Sequence, residues 1–155
     1  MKWNFMLVTT LLLALSSSLA SAIERGPIQL AGINAEVWGD YTVTPSLFPE
    51  ESWRFYLIVV PESVRQGTLI QMAKAFYAKH PNTRARFFSN TEHLQQYVDR
   101  DIYYNDSTGT AKEVDFPDSV WVQNHHLGNI NNRSTRLNRV WMLEDRYGSQ
   151  ISQLP

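Results

Sequence analysis

The chain has no cysteine. Disulfides, thiolate metal centres and lipidation of an N-terminal cysteine are therefore excluded by composition. It also lacks a dominant charge: 14 basic against 15 acidic side chains leave a formal net charge of −1. Non-specific nucleic-acid binding needs a basic field, so no nucleic-acid partner is expected. Beyond the first 22 residues no stretch approaches the ~20 apolar residues of a spanning helix. Internal repeats, low-complexity tracts, a P-loop, G-x-G-x-x-G, G-x-S-x-G and H-E-x-x-H are all missing from the sequence. No cofactor and no metal are expected. No two histidines stand at i, i+2, the spacing that would bring two imidazoles to one face of a strand.

What is there begins with an export signal. Met1 to Ala22 has a positive start at Lys2, an apolar run from Phe5 through Leu15, and Ala20-Ser21-Ala22, an A-x-A cleavage pattern. The expected mature chain starts at Ile23, and residues 23–155 make one domain of ordinary size. An exported domain without disulfides suits a bacterial periplasm better than a small eukaryotic secreted protein.

"AEVWGDYTVT" (35–44) has strand-forming residues with a bend or bulge expected at Gly39. "SLFPEES" (46–52) reads as a loop. "WRFYLIVV" (53–60) ends without alternation, as a strand covered on both faces would. Leu69, Met72, Ala73, Phe76, Tyr77 and His80 then follow helical spacing until Pro81 and Asn82. "ARFF" (85–88) is a short strand, and Ser89 to Glu92 has the S-x-x-E spacing of a capping box. Leu94, Tyr97, Val98 and Ile102 mark the buried face of a second helix. The segment 104–118 reads as an exposed loop. "SVWVQNHH" (119–126) and "RVWMLEDRYG" (139–148) read as a strand pair around "NNRST" (131–135), with Trp121 and Trp141 facing one another. The expected fold is thus α/β (α+β), a compact domain with a mixed sheet of about four or five strands and two helices in the order β-β-α-β-α-β-β. It closes on an antiparallel hairpin.

Three places are candidates for chemistry. The first is "WVQNHHLGNINN" (121–132), where His125 or His126 is a candidate general base with Glu62, Asn124 or Asn129. If the stretch is a strand, Val120, Val122, Asn124 and His126 share one face. His126 is then the more buried ring, with a lowered pKa, unless a bulge at Gly128 shifts the register. The second is the carboxyl end of the parallel strands, where Ser89 and Asn90 open a helix whose free amides attract anions. The third is the arginine series Arg133, Arg136 and Arg139, expected near a hairpin tip and suited to a carboxylate, a phosphate or an acidic surface. The functional expectation is a small exported binding or inhibitory module with a protein or small-molecule partner in the cell envelope. The alternative is a small periplasmic hydrolase or transferase using His125 or His126 with a nearby carboxylate or amide.

Overall fold

A computed structural model describes residues 22–106, 115, 117–134 and 139–155. Residues 1–21, on which the expected export signal falls, and Arg136 lie outside the described residues, as does most of the 104–118 segment. Seven strands and three helices are present among the described residues: β1 (Gly26–Leu30), β2 (Ile33–Val43), β3 (Trp53–Val59), α1 (Gln66–Lys79), β4 (Arg84–Phe88), α2 (Leu94–Asn105), α3 (Ser119–His125), β5 (His126–Ser134), β6 (Arg139–Glu144) and β7 (Gln150–Gln153). All seven strands lie in one sheet, in sequence order. Only β3 and β4 run parallel, because only they are joined through a crossover helix that returns the chain to the same end. Every other neighbouring pair is antiparallel. The mixed α/β class is as expected, but there are more elements than the four or five strands and two helices read from the sequence. No helix among the described residues is long and apolar enough to cross a membrane.

β3 explains the architecture. Its Tyr56 and Ile58, with Val60 just beyond, join the α1 layer, where Leu69, Met72, Ala73 and Phe76 are buried. Its Phe55 and Leu57 join the opposite layer, where Leu94, Tyr97 and Val98 of α2 meet Trp121 of α3. The unalternating apolar run therefore serves two cores, one on each face. β2 does the same through a bulge. The register shifts between Val37 and Gly39, leaving Trp38 as the extra residue, so Val37 faces α1 while Tyr41 and Val43 face α2.

Two local expectations fail. No capping box forms at Ser89–Glu92: Asn90 Oδ1 accepts the Glu92 amide (2.8 Å), and α2 starts only at Leu94 without a side-chain cap. "SVWVQNH" is helix, not strand. Asp118 Oδ1 accepts the amides of Val120 (2.6 Å) and Trp121 (3.1 Å), an N-cap that commits the chain to a turn of helix. Trp121 consequently packs on Phe88, whereas Trp141 sits in β6 opposite Asn132, and the two do not pair. The hairpin exists, but it is formed by β5 and β6. "NNRS" belongs to its first strand, so Arg133 is a strand residue rather than a tip residue.

Candidate functional site

The two histidines part company at the α3–β5 junction. His125 is the last residue of α3, half-buried, with Nδ1 2.9 Å from Ser89 Oγ and its carbonyl accepting the Ser89 amide (3.0 Å). His126 opens β5 and is 4 % exposed, its ring stacked on Phe88 (4.7 Å between centroids) and edge-on to Tyr97 (5.2 Å). His126 is the buried ring, as expected, though for a different reason. A helix end and a bulge between Phe87 and Phe88 set its direction, not strand parity. Burial holds its pKa down at about 3, and the charges of Arg86, Arg146 and Arg100 act in the same direction against the Asn129 hydrogen bond. With the ring neutral, Nε2–H donates to Asn129 Oδ1 (2.8 Å), an assignment that follows from the amide orientation, and Nδ1 is left as an acceptor.

His126 lies at the base of a cleft of about 570 Å³. Tyr97, Arg100 and Tyr104 reach it from α2 at i, i+3 and i+7; Ser119, Val122 and Gln123 reach it from α3 at i, i+3 and i+4. The third wall is the β6–β7 turn. There Asp145 Oδ1 accepts the amides of Tyr147 and Ser149 (both 2.8 Å), and Gly148 adopts φ +81°, a conformation only glycine enters freely. This fixed turn presents Arg146 and Tyr147 to the cleft, the guanidinium 4.8 Å from the tyrosine ring centroid. Arg146 also donates to the Gln123 carbonyl, while its Nε–H is shut from solvent without a partner among the described residues. Arg100 makes no ion pair among the described residues. No described carboxylate lines the cleft.

Behind the cleft is a buried polar network. Arg86 donates to Tyr97 Oη (2.8 Å) and Asp101 Oδ2 (2.9 Å), and Tyr41 Oη donates to the same carboxylate oxygen (2.7 Å). Burial pushes both phenols up, so they stay protonated, Tyr41 as a donor to Asp101 and Tyr97 as an acceptor from Arg86. The network ties α2 to the middle of the sheet and fixes the Tyr97 wall.

Of the other candidates, Ser89 meets His125 and Asn129 meets His126. Asn90 accepts from Trp121 Nε1 (3.1 Å) and is structural. Glu62 and Asn124 are exposed and bond to neither histidine among the described residues. Arg133 is spent on the buried Glu144 (2.6 Å) and on the Gly148 carbonyl, which pins the turn, and Arg139 pairs with Glu51 (3.2 Å). The arginines that line the cleft are Arg100 and Arg146, which motif reading missed. Their only trace in the sequence is the stripe Tyr97, Arg100, Tyr104 on α2. Ser89 occupies the His125 nitrogen at which a catalytic dyad would seat an orienting carboxylate, and neither residue lines the cleft. Among the described residues no three His, Asp or Glu side chains converge as metal ligands. No protein family, curated protein or solved structure matches this chain.

Proposed function

We propose that the protein is an exported, non-catalytic binding module whose cleft takes a small organic anion with an aromatic or apolar body. One observation carries the reading: Arg100 and Arg146 line a cleft that has no carboxylate among its described lining residues, and Arg146 Nε–H has no acceptor among the described residues. Guanidinium forks suit carboxylate or phosphate oxygens. Tyr104, Tyr147, Val122 and Pro117 supply flat and apolar walls for the rest of the ligand. The volume falls in the range of small-molecule sites.

The test is calorimetric titration with phenyl phosphate against phenol. Phenyl phosphate binds and phenol does not, and Arg146→Ala weakens binding by about tenfold or more, the worth of a charge-assisted hydrogen bond. Equal binding of phenol, or an unchanged affinity in Arg146→Ala, refutes the reading. A hydrolase reading rests on the Ser89–His125 contact, and it predicts a hydrolytic activity that Ser89→Ala abolishes without loss of stability.

A further inference from the structure

The base of the cleft holds an acceptor with nothing to accept. The His126 ring is held between Phe88, on which it stacks, and the edge-on Tyr97. Asn129 fixes which of its nitrogens carries the proton. Asn129 Nδ2 donates to the Asp145 carbonyl (3.5 Å), which leaves Oδ1 toward His126 Nε2 (2.8 Å), and an oxygen there requires Nε2–H. Nδ1 is therefore a lone pair. It has no partner among the described residues, where the only buried side-chain polar atoms both unpartnered and closed to solvent are Arg86 Nε and Arg146 Nε. Nδ1 is thus open to the cleft that the ring lines.

We propose that His126 Nδ1 is a specificity-determining acceptor and that the ligand of this cleft is a hydroxyaryl anion, its charge on Arg100 and Arg146 and its hydroxyl donating to Nδ1. This rests on the anion reading of the cleft. Burial and the charges of Arg86, Arg146 and Arg100 keep the ring unprotonated down to about pH 3, so Nδ1 remains an acceptor at neutral pH. The influence of Arg146 and Arg100 on the ring also places the cations and the acceptor close together in one cleft. The other lining acceptors, on Ser119, Gln123 and Tyr147, belong to exposed residues that water satisfies. Nδ1 belongs to a residue 4 % exposed, and an unmet acceptor costs more there. A ligand hydroxyl meets it. A ring C–H leaves it unmet, and a methoxy oxygen sets lone pair against lone pair.

The test uses the mature protein with ¹⁵N-labelled histidine, titrated with phenyl phosphate, its three hydroxy isomers and their methyl ethers. In the free protein at pH 7, ¹H–¹⁵N spectra show His126 with the proton on Nε2 and Nδ1 bare. One hydroxyphenyl phosphate binds about threefold to tenfold more tightly than phenyl phosphate, the worth of one net hydrogen bond. It moves the Nδ1 resonance upfield saturably, beyond any shift that phenyl phosphate gives, and its methyl ether loses the gain. In His126→Phe, which keeps a ring in the stack, the hydroxyl confers no advantage. If neither phenyl phosphate nor any derivative binds, the anion reading falls and this inference with it. If phenyl phosphate binds but no isomer gains, if the gain survives methylation or His126→Phe, or if the free ring carries its proton on Nδ1, the inference alone is overturned.

Discussion

His126 should make the stability of this domain depend on pH through a single residue. Its folded-state pKa is lowered from the ordinary 6.5 to about 3. The unfolded chain therefore takes up a proton near pH 6.5 that the folded chain refuses until about pH 3. Stability contributed by the neutral ring is fully present above pH 6.5 and is lost as pH falls across that interval. At 1.36 kcal/mol per pH unit the full loss is about 5 kcal/mol, of which about 2 kcal/mol falls between pH 6.5 and 5. That is a large fraction of the ~5–15 kcal/mol that holds a domain of this size together. The assay is urea unfolding at pH 7, 6, 5 and 4 for the wild type and for His126→Gln, which keeps a donor for Asn129 but cannot titrate. Carboxylates and His80, whose pKa is also lowered by burial and then by Lys79, contribute equally to both proteins and cancel in the difference. The wild type should lose stability relative to His126→Gln by about 1 kcal/mol per pH unit between pH 6 and 4. Parallel stability curves for the two proteins would show that His126 titrates normally, and the buried setting ascribed to it would be wrong.

Phe76 is fully buried between α1 and the sheet, edge-on to Phe87, and Phe76→Ala should cost about 3–5 kcal/mol in chemical denaturation; a near-neutral effect would mean that α1 packs by another face. At Gly128, a Cβ would stand 2.7 Å from the Glu144 carbonyl oxygen, a backbone atom of β6 that cannot turn aside. Gly128→Ala should therefore destabilise by about 1–3 kcal/mol, with the loss read as a lowered denaturation midpoint at unchanged m-value.

The elements read correctly from the sequence are those with a long or double-sided pattern. α1 shows its buried stripe because Leu69, Met72, Ala73 and Phe76 repeat over about two turns, and β3 shows its two-sided burial because Phe55 to Ile58 form an unbroken aromatic and aliphatic run. α3 was illegible as a helix because its seven residues, rich in branched aliphatics, satisfy a strand pattern equally well. One capping carboxylate, Asp118, decides the matter, and a cap is a local hydrogen bond that periodicity does not register. β1, with Gly26 and Pro27 at its start, and the four-residue β7 are too short for any period to show. The cleft was legible only in part. His126 stood out as a histidine beside a histidine, whereas Arg100 and Arg146 are single arginines in unremarkable settings. They reach one volume only because the β6–β7 turn folds back toward α2 and α3.

The binding of an anion between α2, α3 and the β6–β7 turn is tested most directly at the Arg146 Nε–H resonance. Arg146 lines the cleft and its Nε–H has no acceptor among the described residues, so its chemical shift reports on an anion that pairs with the guanidinium. Titration with phenyl phosphate should move the Arg146 resonance downfield along the same isotherm that calorimetry gives, and should raise the His126 pKa as the anion offsets the neighbouring arginine charges. An Arg146 resonance that stays in place while phenyl phosphate binds, or a protein that binds no phenyl phosphate at all, would contradict the assignment of this cleft as the binding site.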